Sequence, residues 1–170
     1  YNILMPVFAR DVLKGSADML GYLMGAVGLG ALAGISYIAS RKSAAGLERV
    51  AARNAGVLGI GLMLFSISRS FILSLFFMFI TGIGMVSCMA SCNTLLQTLS
   101  DDDKRGRVMS IYTMALIGMA PFGSLCAGFL SNHIGAPATL FICGFCCLAA
   151  ARKFNSGLAA FKEHTVLIKI

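Results

Sequence analysis

Long uncharged stretches separated by short charged ones set the layout of this chain. Met19 to Ser40, Phe71 to Ser100 and Val108 to Ala151 contain no Asp, Glu, Lys or Arg. Each reaches or exceeds the roughly 20 residues that a helix needs to cross about 30 Å of hydrocarbon. The last is long enough for two crossings, divided at the polar "SNHIGAP" from Ser131 to Pro137. Asn54 to Ser68 is short by itself and spans if the helix begins near Val50, with Arg53 extending its guanidinium toward the interface. Tyr1 to Ala9, "YNILMPVFA", reads as the end of a helix whose beginning is missing. The pattern predicts an all-α polytopic membrane protein. Its bundle covers 1–154, with spans at about 1–9, 19–40, 50–68, 71–98, 108–131 and 135–151, and a cytoplasmic tail covers 155–170.

The polar and small residues inside these spans are not scattered evenly. In the second span Gly21 and Gly25, and then Ala26, Gly30 and Gly34, recur at intervals of four. Small residues at that spacing let another backbone come close, which matters in lipid, where dispersion holds helices together. The 71–98 span is bulky and apolar at first and then carries Ser87, Ser91, Asn93, Thr94 and Gln97. Lipid offers such side chains no hydrogen-bond partner, so they are expected to face protein or a watery cavity. Asn93 and Gln97, four apart, share a face. In the 108–131 span Pro121 lacks a backbone donor and crowds the carbonyl of Ile117, so it and Gly118 are candidates for a bend or hinge.

Composition agrees with lipid as the solvent. The chain has 170 residues, 58% hydrophobic and 12% charged, whereas soluble domains are nearer half apolar and about a quarter charged. The net charge of +7 is explained by where the charges fall. The predicted topology puts Arg41, Lys42, Arg49, Arg53, Lys104, Arg105, Arg107, Arg152, Lys153, Lys162 and Lys169 on one side and leaves Arg10, Lys14 and Arg69 on the other. Positive residues in short loops stay cytoplasmic, so the C-terminus faces the cytoplasm and nucleic acid is not an expected partner.

Catalytic chemistry has little to work with. The histidines, His133 and His164, lie outside the spans, and no acidic residue lies within one. Cys143, Cys146 and Cys147 imitate a CxxC pair but have no His or carboxylate beside them to complete a zinc set. Cysteine in a membrane helix is ordinarily a small apolar filler, and Cys88, Cys92 and Cys126 also lie inside spans, so no disulfide framework follows. No catalytic residue, metal or cofactor is expected. Gly28 and Gly30 sit mid-span without a preceding strand, which removes the dinucleotide reading.

The densest charge in the chain, "SDDDKRGRVMS" from Ser100 to Ser110, carries a resemblance. With "YTM" (Tyr112 to Met114) and "APFGSLCAG" (Ala120 to Gly128), it resembles the loop between the tenth and eleventh helices, and the eleventh helix, of major facilitator superfamily transporters. "LMPVFARDVL" (Leu4 to Leu13) and "GLGALAG" (Gly28 to Gly34) resemble the end of the seventh helix and the eighth helix of the enterobactin-exporter-like and secretion-effector efflux branch. The resemblance covers residues 1 to 151 and departs at "ASRKSAAG", which lacks the acid usual in the loop between the eighth and ninth helices.

What the resemblance implies is the C-terminal six-helix bundle of a twelve-helix transporter, its first helix truncated, in a bacterial inner membrane. Such a protein exports a small organic molecule by alternating access as an antiporter. Proton coupling would run through a carboxylate in the missing N-terminal half, since none lies in these spans. Candidate substrate-path residues are Ser91, Asn93 and Gln97, with Tyr112 and Thr113 on the next helix. Asp101, Arg105, Gly106 and Arg107 are either a solvated loop or a gating latch, and Gly30, Gly34, Gly118 and Pro121 are hinge or packing candidates. A non-transporting structural subunit or inert fragment, and an intramembrane enzyme, are the alternative readings.

Overall fold

The structure, a computed structural model, describes residues 1, 3–14, 17–41 and 46–167, and the side chains of 1, 3–14, 18–41 and 46–157. Lys42 and the side chains of Lys162, Glu163, His164 and Lys169 lie outside them. Six helices follow one another: α1 (Leu4–Asp11), α2 (Ala17–Ala39), α3 (Leu47–Ile67), α4 (Phe71–Leu99), α5 (Asp102–Ile134) and α6 (Ala136–Leu167). Five of them, α2 to α6, are long and apolar enough to cross a membrane. The shortest of these, α3 at 21 residues, extends over about 31 Å at 1.5 Å per residue.

Local sequence sets where the helices stop. Gly46 enters α3 at φ 78° and Gly135 separates α5 from α6 at φ 84°, left-handed backbone that glycine adopts without a Cβ penalty. At the α3–α4 turn the Ser74 hydroxyl donates to Ser68 Oγ at 3.0 Å, and Ser68 donates to the Ser70 carbonyl at 3.1 Å. These bonds satisfy groups that are buried there. Asp18, Glu48, Asp102 and Asp103 stand in the first turns of α2, α3 and α5, where negative charge complements the exposed N–H groups.

Helix α4 packs along α2 on one side and α3 on the other, and α3 packs in turn along α6. Backbone proximity defines each seam. A Cβ on Gly34 would come within 2.9 Å of the Ile83 carbonyl, and one on Gly84 within 2.6 Å of Leu58 N. Gly59 and Gly144 face each other across α3 and α6, each with its notional Cβ 2.6 Å from the other's carbonyl oxygen. The short α1 closes one end of this row: Leu4, Met5, Phe8 and Ala9 cluster with Leu23, Leu62, Phe65, Met78 and Leu140. The Phe8 and Phe65 rings lie 4.4 Å apart.

Helix α5 stands apart from that row. None of its 33 residues is buried, and it touches its neighbours only lightly. Ile111, Met114, Ile117, Phe122, Leu125 and Phe129 are all more than 60% exposed. So much uncovered apolar surface belongs against lipid or against another protein surface.

Helices α5 and α6 run furthest beyond the spans predicted for them. Helix α5 begins at Asp102 and not near Val108, so the charged run from Asp102 to Arg107 is its first turns. Helix α6 continues through the residues read as a tail to Leu167, and its membrane-length portion is Ala136–Gly157.

Candidate functional site

The polar second half of α4 divides into two faces. Asn93 and Gln97 form one pair, with Gln97 Nε2 donating to Asn93 Oδ1 at 2.8 Å. Asn93 is half-buried and Gln97 exposed. Ser91 is fully buried and does not join them: two residues separate it from Asn93, a rotation of about 200° around the helix. It lies one turn from Ser87, likewise fully buried, and neither hydroxyl has a hydrogen-bond partner among the described residues. Asn54 of α3 is a third buried group whose Nδ2 has no partner among the described residues. Its backbone lies against Gly84, one turn before Ser87.

Asn54 was not singled out from the sequence, although a polar amide at the start of an uncharged run was the available signal. Gly59, Gly82, Gly84 and Gly144 were likewise not singled out as packing positions. Their partners are distant in sequence, so spacing alone could not assign them.

A side-chain hydrogen bond links α4 to α5 across their junction. Arg105 donates its Nε to the Gln97 carbonyl in the last turn of α4 at 3.0 Å, and its Nη2 lies 2.8 Å from Asp102 Oδ1. One guanidinium thus satisfies an orphan carbonyl at the end of α4 and pairs with a carboxylate in the first turn of its own helix, α5. Lys104 Nζ pairs with Asp101 Oδ2 at 3.2 Å. Arg107 is exposed and makes no ion pair among the described residues, and Gly106 has open space around it. Every member of this cluster is substantially solvent-exposed, so these i,i+3 pairs at the start of α5 contribute little to stability, and the Arg105 bond to the Gln97 carbonyl is the one that links the two helices among the described residues.

On α5, Met109, Ser110, Thr113, Met114, Ile117 and Gly118 line an open hollow of about 620 Å³. The Thr113 hydroxyl donates to the Met109 carbonyl at 2.9 Å, and Ser110 donates to the Arg107 carbonyl at 2.9 Å. Tyr112 is half-buried, and no hydrogen bond joins it or Thr113 to Asn93 or Gln97 among the described residues. The helix is continuous through Pro121. Gly30 and Gly34 lie in the α2–α4 seam as packing residues, whereas Gly118 faces open space.

The two glycine rows of α2 also part company. Ala26, Gly30 and Gly34 turn toward α4, while a Cβ on Gly21, Gly25 or Gly28 would meet nothing within 4 Å. At the other end of the bundle Arg10 Nε lies 2.8 Å from Asp11 Oδ1, and this hydrogen bond raises the Arg10 pKa above its ordinary value. Among the described residues, no three His, Cys, Asp or Glu side chains gather in a way that could hold a metal ion.

No curated protein and no solved structure matches the chain. Residues 2–166 match a family described as transmembrane secretion effectors. Five membrane-length helices and this match over nearly the whole chain identify it as a multi-pass membrane protein of the transmembrane secretion effector family, a group of major facilitator-type transporters.

Proposed function

We propose that the chain works as the C-terminal half of an exporter of the enterobactin-exporter-like branch, moving a small amphipathic organic molecule outward by alternating access. In such folds two bundles rock around a site near the bilayer midplane. The observation that carries this reading is α5: a 33-residue helix without one buried residue, uncharged after Arg107 and bearing Ser110 and Thr113 beside an open hollow. The open glycine row Gly21, Gly25 and Gly28 on α2 supports it. Both faces suit a second six-helix bundle, and the substrate path runs between that bundle and α5, with Asn93 and Gln97 beside it.

The described carboxylates sit at helix ends. Proton antiport therefore draws its titrating group from the other bundle. Arg105 is the latch, holding the α4 C-terminus and Asp102 in one state and releasing them in the other. The orientation puts the Arg-rich ends and the C-terminus in the cytoplasm of a bacterial inner membrane.

The test is cellular accumulation of a panel of small amphipathic dyes, measured with the full transporter, with Arg105→Gln, and with this chain alone. Export by the full transporter, a loss of about tenfold in Arg105→Gln and no export by this chain alone support the reading. Undiminished export by this chain alone refutes it.

A further inference from the structure

A basic groove lies between α3 and α6, away from every residue assigned to the transport path. Arg49 and Arg53 of α3 and Arg152 of α6 rim a cavity of about 370 Å³, with Asn155 beside them and Gly56 and Leu148 in its apolar lower part. Its α3 lining, Arg49, Arg53 and Gly56, lies on a different face from Asn54, Leu58 and Gly61, which meet α4. The groove therefore opens on the outer flank of the helix row.

Three features of the groove specify its occupant. The first is charge: among the described residues no Asp or Glu lines it and the three guanidiniums form no ion pair. Arg53 makes one long contact, 3.5 Å to the Tyr37 hydroxyl. Guanidiniums match phosphate oxygens in charge and in fork geometry. The second is level: Arg53 immediately precedes the uncharged run of α3 and Arg152 immediately follows that of α6. The three cations thus mark the height at which hydrocarbon gives way to headgroups. The third is the space below them. A Cβ on Gly56 would meet only Leu148 Cδ1, at 3.8 Å, so the glycine leaves room for an alkyl chain without holding the helices together. A soluble anion has no use for that lower half.

We propose that this groove binds an anionic phospholipid of the adjoining leaflet, its phosphate among Arg49, Arg53 and Arg152 and the start of an acyl chain over Gly56 and Leu148. Basic pockets between helices at the cytoplasmic boundary recognise anionic headgroups by these interactions. The site stands whether or not the chain transports anything, because none of its residues belongs to the substrate path or the α4–α5 junction.

Native mass spectrometry of the purified chain, with cardiolipin or phosphatidylcholine added to the micelles, tests it. The wild type is expected to retain cardiolipin in preference to phosphatidylcholine. The triple variant Arg49→Gln, Arg53→Gln, Arg152→Gln loses that preference by roughly a hundredfold, from about fivefold per arginine at a membrane surface. Arg10→Gln, Lys14→Gln, Arg69→Gln removes the same charge at the opposite end and leaves the preference intact. Gly56→Leu keeps every cation and fills the lower groove, so it too lowers lipid retention, and it keeps the test open if the triple variant fails to fold. An unchanged preference in the folded triple variant, or unchanged lipid retention in Gly56→Leu, overturns the proposal. So does displacement of the lipid by inorganic phosphate equally in wild type and Gly56→Leu, which marks a free-anion site.

Discussion

Replacing Gly59 with alanine tests how the helix row holds together. The added Cβ would lie 2.6 Å from the Gly144 carbonyl oxygen, 2.9 Å from Leu148 N and 3.3 Å from Leu148 Cα. All three atoms are backbone, so no side-chain rotation relieves the contact. A carbon against a carbonyl oxygen needs about 3.2 Å, so α3 and α6 must part locally by about 0.6 Å, a gap that forfeits a quarter to a half of the dispersion energy of the contacts it opens. Overpacking of this kind costs about 1–3 kcal/mol, and we expect about 2 kcal/mol here because the seam has no soft neighbour to yield. Gly56→Ala, one turn away on the same helix, meets only Leu148 Cδ1 at 3.8 Å and changes stability by less than about 0.5 kcal/mol. The assay is unfolding of the purified chain in dodecyl maltoside micelles titrated with SDS, followed by circular dichroism. Equal losses from the two substitutions, or none from Gly59→Ala, refute the backbone-contact account of the seam.

Other substitutions separate packing from transport. Gly25→Leu places its side chain in open space, so SDS-titrated stability should move by less than about 0.5 kcal/mol while dye export by the full transporter falls; retained export removes α2 from the inter-bundle face. Arg105→Gln should alter stability by no more than about 1 kcal/mol, because its ion pair is exposed, and yet lower export; a large loss of stability would make the junction a structural clamp. Ser91→Ala deletes a buried hydroxyl without a partner among the described residues, so its effect on the same unfolding curve should run from neutral to about 1 kcal/mol stabilising. A destabilisation larger than that reveals a partner for Ser91.

The uncharged runs made the helix count and fold class legible, because lipid punishes charge wherever it falls within a span. Element ends were less legible. Asp102 and Asp103 favour a helix N-terminus, and Arg105 caps the preceding one, so α5 extends out of the membrane through residues whose charge suggests a loop. The Ala26, Gly30 and Gly34 row and the Gly21 and Gly25 row carry the same spacing, and only the position of α4 decides which of them is a seam. In α4 the spacing held more than was taken from it: at about 100° per residue, Ser91 could not share a face with Asn93. The opposed glycines Gly59 and Gly144 lie too far apart in sequence for any periodicity to pair them.

In the proposed transporter α5 lines a watery path between two bundles and does not face lipid. Thiol labelling in intact membranes tests it, with the six native cysteines replaced by alanine in the full transporter and one cysteine returned at a time. Thr113→Cys and Ser110→Cys, on the hollow of α5, are expected to react with a membrane-impermeant maleimide, while Phe145→Cys, exposed on α6, is not. Unreactive thiols at 110 and 113, or labelling at 145 as fast as theirs, would contradict the account.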